Sequence, residues 1–500
     1  MIRQTAPCDL GAIEARDRIR SGALSAFELA DSCIARVEAV DPAVNALVAR
    51  DFDTFRERAR EADARQAAGL PLGPLHGLPF AVKDMIDVAG LPTTYGSEIF
   101  RTNIATADDP IVTALRQAGA LPIGKTNTPE WSAGANSRNR VWGTTANPYD
   151  LSLNCGGSSG GSAVALACGF APLATGSDTG GSLRTPAAFN GVVGFRPSPG
   201  VVPGHSRSIA TLSITTAGPM ARSVADCGLM LSVMAVADRY DPFTTVTDGG
   251  TPWKSQSFAD LPRTDLTRLR FAVTEDFGFA PTEGATRATF RSVMSDLAPF
   301  LPKIDERHPD CTGADRIFAV LRALLFLGAH DRYVLEQPEH VGRNVTDNVI
   351  EARGYSAADV AEAMYAQSAY YRLWQDFFET CDYLISPTVT AAPRDWHENA
   401  PLEIDGHKLD SYYHWLALAY ASTIAGHPAI SIPCGRYPNG LPFGLQIIGR
   451  RHDDLGVLAV AAQLESLIAG VSTLAPEAPD LKGLMAAPPL SSCHGFLEVE

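Results

Sequence analysis

Apolar and polar positions follow two rhythms along the chain, and the change from one to the other predicts the elements. Over residues 10–65 the period is helical. Leu29, Cys33, Ile34 and Val37 recur at spacings of three and four, Ser25 and Glu28 form a capping-box pattern ahead of them, and Asp41-Pro42 is expected to stop the helix. This segment reads as an amphipathic layer over a core. From Leu75 to Ile86 the texture becomes a continuous apolar run, Leu78-Pro-Phe-Ala-Val82, which predicts a buried strand ending in Lys83 and closed by Asp84 and Asp87. Residues 108–130 give a helix from Pro110 to Gln117 and then a strand at Ala120-Leu-Pro-Ile-Gly124. Residues 240–380 are looser, with helical segments at Ile317–Phe326 and Ala361–Phe377 and no chemical motif, and read as an insertion or cap over the site. Cys381–Thr390, Ala429–Pro433 and Leu441–Gly449 return to strand texture bounded by Pro and Gly, and a last helix spans Asp453 to Ile468. Strands and helices in alternation predict an α/β fold.

Composition narrows the function. The chain has 500 residues and no low-complexity linker, which suits either one large core with insertions or two domains. A formal charge of −15 with no basic run argues against nucleic-acid and anionic-membrane partners, so a small molecule is the expected ligand. Nine cysteines without CxxC spacing predict free thiols in a reducing compartment. The start Met1-Ile2-Arg3-Gln4 leads into polar sequence and no apolar run reaches spanning length, so the expected location is cytoplasmic.

Chemistry is concentrated in two clusters, Gly156-Gly-Ser-Ser-Gly-Gly-Ser162 and Gly176-Ser-Asp-Thr-Gly-Gly-Ser182, joined by small apolar residues from Ala163 to Ala174. Glycines let main-chain N–H groups approach a ligand and hydroxyls supply a nucleophile, so the pair reads as a nucleophile plus an oxyanion or phosphate cradle. Lysine is scarce, six residues against 35 arginines, so Lys83 inside an apolar run is not ordinary surface charge. Two readings stay open for it: a buried neutral amine able to take a proton from serine, or a lysine snorkelling from the strand end or salt-bridged to Asp84 or Asp87.

Gly119 to Thr126 fits the phosphate-loop pattern, but its spacer is apolar and Pro129 stands where the following helix must run, so the match is rejected and Lys125 has no assigned role. Among serine layouts, Gly157-Ser-Ser-Gly-Gly161 fits a nucleophile elbow with Ser159 at its tip. Against it, Asn147 to Ser152 reads as a loop and His427, beside Pro428, reads as structural. No lysine follows a serine at the Ser-x-x-Lys spacing. A serine backed by a second serine and a neutral lysine, with glycine N–H groups facing the carbonyl oxygen, is the layout whose parts are all present.

The two clusters, continued by Leu183-Arg-Thr-Pro186 and by Gly191-Val-Val-Gly-Phe-Arg-Pro197, resemble the signature segment of the amidase signature hydrolases. Gly77–Asp84, Gly124–Glu130 and Gly440–Ile447 resemble further segments of that family, so the likeness covers nearly the whole chain and is weakest at 240–380. It implies a single α/β/α domain over residues 1–500 around a mixed, twisted central β-sheet. Within it, 1–65 form a helical layer, 66–235 the core, 240–380 a variable insertion or cap, 381–470 the return to the sheet and 471–500 a tail. The resemblance also implies a Ser-Ser-Lys triad, with Ser182 as nucleophile, Ser158 as proton relay after a cis peptide bond, and Lys83 as base. Thr179, Gly180 and Gly181 match the oxyanion-hole stretch. Ser159, Asp178 and Arg184 match supporting positions, where they equally read as polar groups tying the glycine loops together.

The implied reaction is hydrolysis of a small-molecule amide or carbamate through an acyl-enzyme, with no metal or organic cofactor, and family habit admits a homodimer. The rival is the amidase subunit of a tRNA-dependent amidotransferase, which delivers ammonia from glutamine. Against that rival, Ser198 to Ser208 lacks the Tyr-Gly and Ser-Ser-Leu-Asp pattern expected of that subunit. Trp131, Phe318, Trp415 and Tyr420, with Tyr412 and Tyr413, read either as core or as walls of an acyl or aryl pocket, which would favour anilides or aryl carbamates.

Overall fold

The apolar run before Lys83 forms a strand buried at all five positions, Pro79–Lys83, as a parallel strand covered on both faces requires. In the computed structural model, which describes residues 6–205, 207–247 and 250–498, this is β2 of an eleven-stranded mixed sheet. The other strands are β1 (Leu47–Ala49), β3 (Leu121–Thr126), β4 (Leu173–Asp178), β5 (Val193–Arg196), β6 (Thr216–Ala221), β7 (Phe271–Val273), β8 (Ile304–Glu306), β9 (Tyr383–Pro387), β10 (Ala429–Arg436) and β11 (Pro442–Ile448). Their spatial order is β1-β3-β2-β4-β6-β5-β10-β11-β9-β7-β8. β2 runs parallel to both β3 and β4, with Phe80 opposite Leu173 and Ala81 opposite Ala174. Lys83 and Ser177 therefore leave the sheet at one carboxyl edge, where ligands gather in open α/β sheets.

Several elements differ from the sequence reading. Asp41-Pro42 does not stop the helix that Ser25 caps: Ala26–Val44 carries Pro42 in its last turn and ends at Asn45, whose φ of 54° is left-handed. The Asp41 carboxylate accepts from the N–H groups of Ala46 and Leu47, satisfying donors just beyond that end. Asn147–Ser152 is not a loop. Ala146–Asn147 and Asp150–Asn154 pair as a hairpin outside the main sheet, turned by the Asn147 side chain accepting from Tyr149 N–H. Lys125 and Thr126 end β3 rather than opening a helix, as the rejected phosphate loop would need.

Residues 240–380 do more than cover the site, because β7 and β8 extend the main sheet at its edge. These strands have three residues each, too short to show a period. The same stretch supplies the long helix Ala314–Glu336, which brings Phe318 over the second glycine cluster. All nine cysteines are free and only Cys493 is exposed. Among the described residues no helix is long and apolar enough to cross a membrane. Met1–Gln4, read for a targeting signal, and Ser206, within the segment compared with the amidotransferase subunit, lie outside the described residues.

Candidate active site

Lys83 ends β2 fully buried. Its Nζ lies 2.6 Å from Ser158 Oγ, 3.1 Å from Ser159 Oγ and 3.0 Å from Ser177 Oγ. The alternative of an ion pair fails on both carboxylates: Asp84 is taken by Lys125, whose Nζ sits 3.1 Å from Asp84 Oδ1 and also donates to Pro92 O and Thr93 Oγ1, and Asp87 makes no ion pair with Lys83, its buried Oδ1 having no hydrogen-bond partner. Burial pushes the Lys83 ammonium down to about 7, against an opposing pull from the Asp178 carboxylate. A large share of Lys83 is then free amine at neutral pH, in contact with a hydroxyl whose proton it can accept.

Backbone geometry gathers the two glycine clusters around that amine. The Gly157–Ser158 peptide is cis, and the helix Gly160–Ala167 begins directly after Ser159. A side chain at Gly161 would put its Cβ 2.4 Å from the backbone nitrogen of Asn127, so only glycine lets this helix start rest on the loop after β3. Ser159 N–H donates to the Ser182 carbonyl at 3.2 Å, and Ser177 N–H donates to Ser159 Oγ at 3.3 Å.

Asp178, the last residue of β4, fixes the turn that carries Ser182. Its carboxylate accepts from the N–H groups of Gly181 (2.9 Å) and Leu183 (3.2 Å), from Arg184 Nε and Nη2 (3.0 Å each) and from Arg196 Nη1 (3.1 Å). Burial works against the charged form, but Arg184, Arg196 and these hydrogen bonds hold the carboxyl well below the usual range. Desolvation brings the Arg196 guanidinium down to about 10, opposed by Asp178. Arg184 reaches further, to Ala419 O, Ser422 Oγ, Thr423 Oγ1 and Gln446 Oε1, tying the turn to distant parts of the sheet layer. Gly181 has φ of 111°, a conformation suited to glycine.

A cavity of about 510 Å³ opens above this floor, with Ser177, Thr179, Gly180 and Ser182 at its base. Ser182 is half-buried while Ser158 beneath it is fully buried. The walls are aromatic: Trp131 stacks on Tyr333 at 5.5 Å and meets the tilted ring of His330 at 4.5 Å, Phe100 meets Trp131 edge-on at 6.2 Å, and Tyr95 meets Phe100 at 5.2 Å. Burial lowers His330 to about 4, so its ring is neutral at neutral pH.

The family model described as Amidase matches residues 28–458. The chain belongs to the amidase family. An acylamidase of Rhodococcus erythropolis is 35% identical over 463 residues, covering 92% of this chain and 95% of the relative. A glutamyl-tRNA(Gln) amidotransferase subunit of Symbiobacterium thermophilum is 33% identical over 470 residues, covering 88% and 93%. Among solved structures, a bacterial aryl acylamidase of the amidase signature family superposes with a TM-score of 0.84 at 25% identity, covering 96% of this chain and 99% of that one. The protein is thus an amidase signature hydrolase acting on amide C–N bonds, built on that family's α/β fold.

Within this candidate site, the sequence-predicted residues fall into distinct places. Lys83, Ser158 and Ser159 form one buried hydrogen-bonded group, and Asp178 with Arg184 forms another at the turn bearing Ser182. Thr179 and Gly180 line the cavity, whereas Gly181 turns its N–H toward Asp178. Trp131 and Phe318 line the cavity, but Trp415 and Tyr420 stand behind its wall. Trp415 packs on Phe189 and donates to Tyr412 O, and Tyr420 stacks on Phe318 at 4.2 Å with its hydroxyl on Asp315. Sequence reasoning missed Ser177 as a third hydroxyl on Lys83, and missed Tyr95, Phe100, Phe326 and Tyr333 in the wall. Ser177 was legible, since it lies inside the second cluster. His427 is remote from this chemistry: its ring lies within hydrogen-bond distance of Gly449 O and Gln375 Nε2, and burial lowers it to about 3.

Proposed function

We propose that this amidase cleaves small carboxylic amides through an acyl-enzyme at Ser182, with Ser158 as proton relay and neutral Lys83 as base. The observation that carries this reading is the buried Lys83 amine 2.6 Å from Ser158 Oγ. Ser182 Oγ attacks the carbonyl carbon and gives its proton to Ser158 Oγ, while the Ser158 proton passes to Lys83 Nζ. The oxyanion rests on main-chain N–H groups of the 179–182 stretch, with Thr179 and Gly180 as first candidates because Gly181 is engaged by Asp178. Each such donor is worth ~3 kcal/mol of barrier. The C–N bond breaks as the proton returns from Lys83 through Ser158 to the leaving nitrogen. Water then attacks the acyl ester through the same relay, releasing the acid and restoring Ser182.

Aromatic walls support an aryl acyl or amine group on the substrate, as in anilides or aryl carbamates, and so does likeness to the acylamidases. The acidic composition and free thiols suit a cytoplasmic enzyme with a small-molecule substrate. We read residues 1–500 as one domain; family habit admits a homodimer, which sedimentation would test. A second reading keeps the same triad but takes glutamine as substrate, as part of an amidotransferase; seven relatives bearing the name of that enzyme's subunit, at 32–34% identity, favour it. The test is hydrolysis of an aryl anilide, its primary amide, ester and carbamate counterparts, and glutamine, by wild type and Ser182→Ala. Amide or carbamate turnover lost in the variant supports the free-standing amidase, turnover of glutamine alone supports the second reading, and unchanged turnover in Ser182→Ala removes the nucleophile assignment.

A further inference from the structure

We propose that Arg322 determines specificity in this cavity by binding a carboxylate carried by the amide substrate, about one helical turn from the scissile carbonyl. The proposal rests on the reading of the cavity as the amidase site. Arg322 lines the cavity and is 6% exposed. Its guanidinium stands over the rings of Phe326, Tyr412 and Tyr413, at 4.7, 5.0 and 4.5 Å from their centroids, and its Nη2 donates to the Tyr412 hydroxyl. Nη1 is buried with no hydrogen-bond partner, and among the described residues no carboxylate forms an ion pair with this arginine. The other guanidinium lining the cavity, Arg207, is already spent on Asp241 at 3.0 Å.

A buried cation without a counter-ion is costly, and aromatic faces offset only part of that cost. A carboxylate on the ligand would supply both the missing acceptor and the missing charge, in the forked geometry that arginine favours. Position agrees with this. Phe318, four residues earlier on the same helix face, lies 2.8 Å from where a Gly180 Cβ would stand, and four helical residues rise ~6 Å. The guanidinium is thereby set one turn along the wall from the glycine floor. Asp87 and Asp109 line the same cavity and would repel an anion from their side, which leaves Arg322 as the place for it. The substrate class is thus an amide bearing a second, anionic group, in either its acyl or its amine half.

The test measures binding by calorimetry on Ser182→Ala protein, so that failure to hydrolyse, which counts against the nucleophile, leaves the binding ratio readable. Succinanilate carries the carboxylate in the acyl half and 4-acetamidobenzoate carries it in the amine half; pentananilide and 4-methylacetanilide are their neutral counterparts. One anionic probe is expected to bind about tenfold or more tightly than its counterpart, as charge-assisted hydrogen bonds allow. With Arg322→Gln added, that anion-over-neutral ratio falls toward one. Equal affinity for anion and neutral counterpart in both pairs without the Arg322 change, no measurable binding of either anion, or a ratio that survives Arg322→Gln would each overturn the proposal.

Discussion

On the floor of the cavity Lys83, Ser158 and Ser159 are buried polar groups bonded to one another and to Ser177, and Asp178 is buried among Arg184, Arg196 and the backbone of the second glycine loop. On its wall Trp131 stacks on Tyr333, Phe100 meets both edge-on, and Phe318 and Phe326 line the cavity with them. A change on the floor leaves a buried donor, acceptor or charge without a partner, which is expensive. A change on the wall removes contact area for the substrate, and its cost follows the substrate. On the proposed reading, reaction chemistry is held by the floor and preference by the wall, and substitutions in the two regions are expected to separate kcat from KM.

The largest effect is expected from Ser182→Ala, which should lower kcat by about 10⁴-fold or more for every substrate turned over. Single-turnover kinetics would check this, and a loss confined to one substrate would blur the contrast between the regions. Lys83→Met should cost about 10²- to 10⁴-fold in kcat. In the unsubstituted enzyme the amine must shed its proton to act, so kcat/KM should rise with pH through about 7. That rising limb should vanish in the residual activity of Lys83→Met, and its persistence there would assign the titration to another group. Asp178→Asn breaks a buried ion pair and should destabilise the fold by about 3–5 kcal/mol, read as a lower midpoint in urea; an unchanged midpoint would show that the turn does not depend on it. Smallest is Trp131→Ala, expected to raise KM for an anilide by about tenfold while an aliphatic amide is little affected. Equal losses on both substrates would make Trp131 part of the scaffold.

Legibility divides along the same line. The floor was readable because its residues lie in two clusters 24 positions apart, Ser158 and Ser182, with one lysine at the end of an apolar run. Glycines and hydroxyls at that density suit little except a site lined by the backbone itself. The sheet was readable for the same local reason, since β2, β3, β9, β10 and β11 each show an apolar run bounded by Pro or Gly. The fate of Lys83 was not, because which carboxylate it would meet depends on Lys125 arriving from β3 to occupy Asp84. The wall was least legible. Trp131, Phe318 and Tyr412 come from three separate segments, and whether a ring faces the cavity or backs onto it, as Tyr420 does behind Phe318, is decided by helix packing. Tyr95 and Trp131 carry φ values of 55° and 44°, unusual for bulky residues, which no sequence pattern announced.

The central claim is that Ser182, activated through Ser158 by Lys83, is the nucleophile. It is tested most directly by labelling the enzyme with a fluorophosphonate and mapping the modified peptide by mass spectrometry. A single adduct on Ser182, forming faster as pH rises through about 7 and suppressed in Lys83→Met, is the predicted result. An adduct on Ser158 or Ser159 in its place, or full amidase turnover by enzyme already labelled at Ser182, would contradict it.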